Sequence, residues 1–110
     1  MLVFYQLFQY LYVVNVISRK TLAEFYEDHA DARDPLETWY KVCKKAAWVN
    51  FNEVLKAYPA ADIVGDNRVV FNIKGNKYRL IARFSFRYKS MQVKWIGTYA
   101  EYDEIDVLEV

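Results

Sequence analysis

The chain has 110 residues, of which 55% are hydrophobic and 18% aromatic. That length fits one domain with one core, and so much apolar surface offsets the entropy lost on folding, which excludes an intrinsically disordered protein. The net charge is only +1, so attraction for a polyanion has to come from local clustering of charge rather than from the overall charge.

The first fourteen residues are strongly apolar, and no cation precedes Arg19. The stretch is too short to span a bilayer, and it lacks the basic start and the small-residue cleavage site of a secretory signal. We therefore predict a cytoplasmic protein without membrane contact, in which residues 1–14 are an apolar extension and residues 15–110 form the domain. The extension is interpreted as an extra strand or helix, a partner-binding patch, or sequence translated upstream of the natural start, and we favour the last two.

A short strand at residues 13–17 is predicted to precede three helices. Each helix has signals typical of a capped N-terminus: Thr21 with Glu24, Asp34 with Pro35 and Glu37, and Asn50 with Glu53. Apolar residues at helical spacing predict one buried stripe per helix: Leu22, Phe25, Tyr26 and His29, then Leu36, Trp39, Tyr40, Cys43 and Ala47, then Phe51, Val54, Leu55 and Tyr58. The single histidine is predicted to be structural. The single cysteine has no companion for a disulfide or a metal site, so it is predicted to be buried.

After a predicted loop at residues 60–66, the hydrophobic period changes from that of a helix to the two-residue period of a strand. Strands are predicted around residues 69–73, 78–86 and 91–96, joined by a glycine-containing hairpin at residues 74–76 and a second turn at residues 87–90. In the last strand Met91, Val93 and Trp95 are expected on one face. Three helices followed by an antiparallel meander predict an α+β fold.

The basic residues of this predicted sheet are concentrated in one segment. Between Asn67 and Gly97 there are eight cations and no Asp or Glu: Arg68, Lys74, Lys77, Arg79, Arg83, Arg87, Lys89 and Lys94. Along residues 77–87 the basic residues alternate with apolar ones, so the strand is expected to have one cationic face, which Lys94 joins if the register allows. Such a face suits the phosphates of single-stranded RNA, although lysines on an outer sheet also serve simply to block aggregation.

The last twelve residues carry five carboxylates and no cation. This acidic end either folds back beside the basic sheet or remains a solvated tail. We favour the solvated tail slightly.

The sequence offers no metal-ligand cluster and no phosphate-binding glycine loop, so neither a metal nor another cofactor is predicted. Basic and aromatic side chains do suit a metal-free ribonuclease, in which a ribose 2′-OH attacks the adjacent phosphate. Fixed guanidinium and ammonium groups stabilise the charge that builds on phosphorus, and a tyrosine or carboxylate can exchange the protons. The candidates are Lys77, Arg79, Arg83 and Lys94 on the strands, and Tyr99, Glu101, Tyr102 and Asp103 just beyond them.

Three ordered blocks resemble HigB toxins of bacterial type II toxin–antitoxin systems, within the RelE-like superfamily: NVISRK at residues 15–20, VFNIKGNKYRLIA at residues 70–82 and AEYD at residues 100–103. The similarity covers about residues 15–106. It implies a RelE-like fold, with an N-terminal strand and two to three helices on a small antiparallel sheet, and an mRNA interferase that acts on the translating ribosome. The implied partners are mRNA, the ribosome and a HigA-type helix-turn-helix antitoxin, with operator DNA bound only through the antitoxin complex.

The resemblance also implies roles for individual residues. Arg79 and Lys94 match basic positions of the family, and Glu101, Tyr102 and Asp103 match its terminal Glu-Tyr-Asp. Where the family usually has Thr-His this chain has Thr98 and Tyr99, and Gly97 replaces the usual apolar residue. The predicted catalytic residues are Arg79, Lys94, Tyr99 and Tyr102. The predicted RNA-binding residues are Lys74, Lys77, Arg83 and Arg87, with Glu101 and Asp103 as acid/base or structural groups.

Two other functions remain open at this point. One is a catalytically weakened member of the family that binds RNA or the ribosome without nuclease activity, since Tyr99 stands where an imidazole is usual. The other is an interaction module whose basic face binds only an acidic antitoxin segment.

Overall fold

The structure is a computed structural model that describes residues 15–17 and 19–110. The predictions for the extension at residues 1–14, including the start of the first strand, lie outside the described residues. The elements in chain order are β1 (Asn15–Ile17), α1 (Arg19–Asp28), a 3-10 turn (Ala30–Ala32), α2 (Arg33–Lys45), α3 (Phe51–Ala57), β2 (Asp62–Gly65), β3 (Arg68–Ile73), β4 (Tyr78–Ser85), β5 (Ser90–Thr98) and α4 (Tyr99–Tyr102). This arrangement confirms the predicted α+β fold. Among the described residues, no helix has the length and apolarity needed to cross a bilayer.

The strands form one sheet in the order β1-β5-β4-β3-β2. Strands β2 to β5 make an antiparallel meander, and β1 pairs in parallel with β5. The three predicted sheet strands are confirmed, but the predicted loop at residues 60–66 is wrong because it contains β2. Asp66 and Asn67 close the β2–β3 hairpin with φ values of 47° and 58°, a conformation that Asp and Asn tolerate better than most residues. The short and largely exposed β2 has no apolar alternation that would have predicted a strand.

The helices pack against one face of this sheet and form the core with it. Trp39 of α2 lies edge-on to Phe71 of β3, with ring centroids 5.4 Å apart, and Cys43 is buried as predicted. Burial raises the pKa of the Cys43 thiol well above its ordinary value. In α1 and α3 the predicted stripes are buried or half-buried, although His29 and Tyr58 lie just beyond the helix ends. Ala47 lies beyond the end of α2 and is exposed.

The helix starts were predicted less well than the stripes. Helix α1 begins before Thr21, so the predicted capping box of Thr21 and Glu24 is wrong. The 3-10 turn runs directly into α2, so Asp34 lies in the first turn of that helix rather than at its N-cap. The Asn50 cap is confirmed, since its Oδ1 accepts a hydrogen bond from the Glu53 amide at 3.0 Å.

The C-terminal segment returns to the other face of the sheet, so the favoured solvated tail is wrong. Arg68 is only 6% exposed, and its Nη1 donates to the main-chain oxygen atoms of Val107 at 2.9 Å and Val110 at 2.6 Å. Val70 and Ile81, which pair across β3 and β4, are both buried although they alternate with the residues of the helix-side core. The outer face therefore has an apolar centre and is not a continuous cationic ladder.

A β-bulge in β5 changes which residues face outward. Val93 pairs with Ala82 and Trp95 with Ile81, which leaves Lys94 as the extra residue between these rungs. Trp95 therefore lies on the outer face with Ile81, and the prediction that grouped it with Met91 and Val93 is wrong.

Candidate functional site

Arg79 lies near the N-terminal end of β4, opposite Gly97 of β5. Its guanidinium carbon is 4.8 Å from the ring centroid of Tyr99 and 6.0 Å from that of Tyr102, within the range of cation–π attraction. Nη1 donates to the carbonyl oxygen of Asn76 at 3.1 Å. No carboxylate contacts this guanidinium among the described residues, so its charge and its other N–H donors remain available to an anion. Three of the four predicted catalytic residues thus lie together.

The two tyrosines are held by the short helix α4. Thr98 and Glu101 form a capping box: the Glu101 amide donates to Thr98 Oγ1 at 3.2 Å, and Glu101 Oε1 accepts from the Thr98 amide at 2.8 Å. The Thr98 backbone hydrogen bond lowers the pKa of Glu101. Of the two roles considered for this carboxylate, its geometry supports the structural one, because capping fixes the turn that carries Tyr99 and Tyr102.

Tyr102 is the less exposed of the two phenols. Burial, followed by the negative charges of Asp62 and Asp103, raises its pKa, and Arg79 opposes them only in part. The Tyr102 hydroxyl is therefore protonated at neutral pH. Asp103 itself is exposed at the end of α4.

Trp95 borders this group, and no functional role was predicted for it. Its ring centroid is 6.2 Å from that of Tyr102, and a Cβ added at Gly97 would lie 2.5 Å from the Trp95 Cη2 and Cζ2 atoms. The indole therefore packs on the backbone of Gly97. Gly97 was the one sign in the sequence that a large side chain packs on the backbone here. That the side chain is Trp95 follows only from the β5 bulge, which brings it to the outer face of the sheet.

Lys94, the fourth predicted catalytic residue, is half-buried at the bulge. It does not share a rung with either arginine, since Arg79 pairs with Gly97 and Arg83 with Gln92. Lys94 contacts neither Arg79 nor the two tyrosines among the described residues.

Three of the four predicted RNA-binding residues pair with carboxylates. These carboxylates lie outside the stretch between Asn67 and Gly97, which has no Asp or Glu. Asp31, in the 3-10 turn, accepts hydrogen bonds from Lys77, from the Tyr78 hydroxyl and from Lys74, the last at 3.0 Å. These bonds, with that of Lys77 the largest cause, hold the pKa of Asp31 well below its usual range. Arg83 Nη2 lies 3.0 Å from Asp66 Oδ1. The fourth, Arg87, instead has its guanidinium carbon 5.4 Å from the ring centroid of Tyr88.

His29 takes the structural place that was predicted for it. Its ring stacks on Phe25 with centroids 4.1 Å apart, and its Nδ1 is 3.1 Å from the Phe25 carbonyl oxygen. With Nδ1 donating to that carbonyl, the imidazole is fixed against α1.

When the chain is compared with models of known protein families, one family matches. The model of a family described as HigB_toxin, RelE-like toxic component of a toxin-antitoxin system, matches residues 32–105. The match covers two thirds of the chain, from the 3-10 turn to the residues after α4, and includes Arg79, Tyr99 and Tyr102. No curated protein matches the chain.

Proposed function

The chain belongs to the HigB toxin family, the RelE-like toxic component of toxin–antitoxin systems, and on that premise we propose that it is an endoribonuclease that cleaves mRNA on the translating ribosome. The observation that carries the proposal is the guanidinium of Arg79, which lies beside two tyrosine rings without a carboxylate partner among the described residues. A cation fixed in this way is suited to stabilise the charge of a phosphoryl transition state.

The proposed reaction needs no metal ion. The 2′ oxygen of a ribose attacks the adjacent phosphorus, the bond from phosphorus to the 5′ oxygen breaks, and a 2′,3′-cyclic phosphate remains. Arg79 stabilises the five-coordinate phosphorus, and Tyr102, a phenol that is protonated at neutral pH, donates the proton to the departing 5′ oxygen. Tyr99, which is half-exposed beside Arg79, accepts a hydrogen bond from the attacking 2′-OH. The proton of that hydroxyl passes to solvent.

The partners follow from the same proposal. A HigA-type helix-turn-helix antitoxin neutralises the toxin, and operator DNA is bound only through the complex of the two proteins. The site of action is the ribosome in the cytoplasm. The residues proposed to contact RNA phosphates are Lys94, Lys74, Lys77, Arg83 and Arg87. Those paired with Asp31 or Asp66 do so only where phosphate displaces the carboxylate.

The first test is cleavage of mRNA in a translating extract. Replacing Arg79 with alanine should lower the cleavage rate on the order of 100-fold to 1000-fold, the loss typical of a removed transition-state donor. Lys56→Ala is the matched control, because Lys56 is an exposed cation in the last turn of α3. If Arg79→Ala and Lys56→Ala cleave equally well, Arg79 does not have the proposed role.

A second candidate function is supported by Tyr99, which stands where related toxins usually have histidine. In this alternative the chain binds RNA or the ribosome without cutting, and the antitoxin still neutralises it. Comparing the chain with its Tyr99→His variant separates the two. Cleavage that appears only in the variant would favour the non-catalytic function, whereas equal cleavage by both would show that the phenol suffices.

A further inference from the structure

Two exposed tyrosine rings lie at opposite ends of the β4–β5 hairpin, and each faces an arginine. In the described part of the chain, Tyr88 and Tyr99 are the aromatic residues with large exposure, at 72% and 51%. Arg87 lies 5.4 Å from the ring centroid of Tyr88, and Arg79 lies 4.8 Å from that of Tyr99. The same arginine–tyrosine unit therefore occurs twice.

The turn that carries the second unit is ordered. Phe86 stacks on Phe84 with centroids 5.5 Å apart and meets Phe51 edge-on at 4.9 Å. The Lys89 amide donates to the Phe86 carbonyl oxygen at 3.3 Å and closes the turn. The backbone that carries Arg87 and Tyr88 is thus anchored through Phe86, which lowers the ordering entropy that binding there would cost.

The two units are too far apart to contact one nucleotide. From Arg79 to the end of β4 at Ser85, six residues of extended strand at about 3.3 Å each span about 20 Å, and Arg87 lies beyond them in the turn. Between them lies Arg83, which is exposed and paired with Asp66. A chain that reaches both units must be an extended polyanion of several residues.

We propose that Arg87 and Tyr88 form a second binding site for single-stranded RNA, occupied by the same strand whose scissile nucleotide lies at Arg79 and Tyr99. The exposed ring of Tyr88 stacks on an unpaired base, and Arg87 contacts the neighbouring phosphate. A duplex does not fit this role, because its bases are already stacked. The inference rests on the proposed function and adds the requirement that the RNA be long enough to reach both sites. An RNA strand that makes both contacts binds more tightly than one that makes either contact alone.

The test is the affinity for uncleavable RNA, made with 2′-O-methyl riboses, at lengths of about 4 and about 16 nucleotides, the range covered by known single-strand sites. Fluorescence anisotropy should show that Tyr88→Ala lowers the affinity for the longer RNA about tenfold and leaves the shorter one unchanged. Tyr88→Phe keeps the ring and should bind both like the parent chain. Lys56→Ala is the control for an exposed residue on the helix side, and thermal melting confirms that each variant folds.

Several results would overturn the inference. These are unchanged binding of the longer RNA by Tyr88→Ala, an equal loss for both lengths, or displacement of the RNA by an acidic peptide at equal concentration. Cleavage is a separate readout: a chain that binds the longer RNA through Tyr88 but cuts no transcript refutes the nuclease and leaves the second site standing. A chain that cuts normally while Tyr88→Ala binds like the parent refutes only the second site.

Discussion

At the scale of single residues, Asp31 pairs with both lysines of the β3–β4 hairpin and so limits their binding of other anions. Its carboxylate accepts hydrogen bonds from Lys74, Lys77 and Tyr78, and so links the 3-10 turn to the sheet. An RNA phosphate has to compete with this intramolecular anion for the same two lysines. The contact therefore stabilises the fold and, under the proposed function, weakens RNA binding.

The first prediction concerns stability at low pH. Because the folded protein holds the pKa of Asp31 below its unfolded value of about 3.9, the stabilisation is fully present above about pH 4 and is lost as the pH falls further. Urea unfolding should show Asp31→Asn less stable than the parent chain at pH 7, with a smaller difference at pH 3. Glu27→Gln, which changes an exposed carboxylate of α1, should show no such dependence. A difference that stays constant with pH would contradict this account of Asp31.

The second prediction concerns Gly97. A Cβ at this position would lie 2.5 Å from the Trp95 ring and 3.1 Å from Glu101 Oε1, so Gly97→Ala must displace the indole that packs beside Tyr102. We expect a loss of about 1–3 kcal/mol in the free energy of unfolding, and slower mRNA cleavage because the tyrosines shift. A double-mutant cycle with Trp95→Ala checks the cause: the alanine at position 97 should cost much less once the indole is gone. Additive effects would mean that the ring is not the obstacle.

At the scale of secondary-structure elements, the sequence predicted what local periodicity and capping control. The apolar stripes of α1 and α3, the Asn50 cap and the hairpin at residues 74–77 follow from side-chain spacing and turn chemistry. The β5 bulge and the short edge strand β2 depend on pairing with a neighbouring strand, which no periodicity records. The candidate site divides in the same way. Arg79, Tyr99 and Tyr102 were predicted from sequence, whereas Trp95 needed the bulge and Asp31 needed the contact between a turn and a distant hairpin.

The third prediction concerns the C-terminal segment, which holds Arg68 through main-chain carbonyls that a side-chain pattern does not reveal. Removal of residues 107–110 takes away both main-chain oxygen acceptors and leaves the guanidinium with Asp66 Oδ2 at 3.6 Å. We expect a loss of about 1–3 kcal/mol in the free energy of unfolding, because the guanidinium loses two hydrogen bonds that it makes while charged. The same truncation in an Arg68→Met background should cost clearly less. Equal costs in the two backgrounds would show that the segment stabilises the sheet by other contacts.

At the scale of the whole molecule, the number of cations in the sequence overstates the positive charge that is available to bind RNA. Of the eight cations between Asn67 and Gly97, Arg68 is buried, and three others pair with carboxylates: Lys74, Lys77 and Arg83. Among the described residues, Arg79, Arg87 and Lys94 have no carboxylate partner, and the eighth cation, Lys89, is half-buried in the β4–β5 turn. The molecule thus presents a few separate positive charges rather than one basic surface.

The fourth prediction follows from this difference. Each phosphate contact to single-stranded RNA contributes about −0.7 to the slope of log K against log salt concentration. Three contacts therefore give a slope of about −2, and eight would give about −6. Anisotropy titrations of a long uncleavable RNA over a series of salt concentrations should give the shallow slope for the parent chain. Asp31→Asn releases Lys74 and Lys77, so its slope should become steeper by about 1.4 while its affinity at low salt rises. A steep slope in the parent chain that Asp31→Asn does not change would mean that RNA already displaces Asp31, and that the two lysines belong to the binding site of the free toxin.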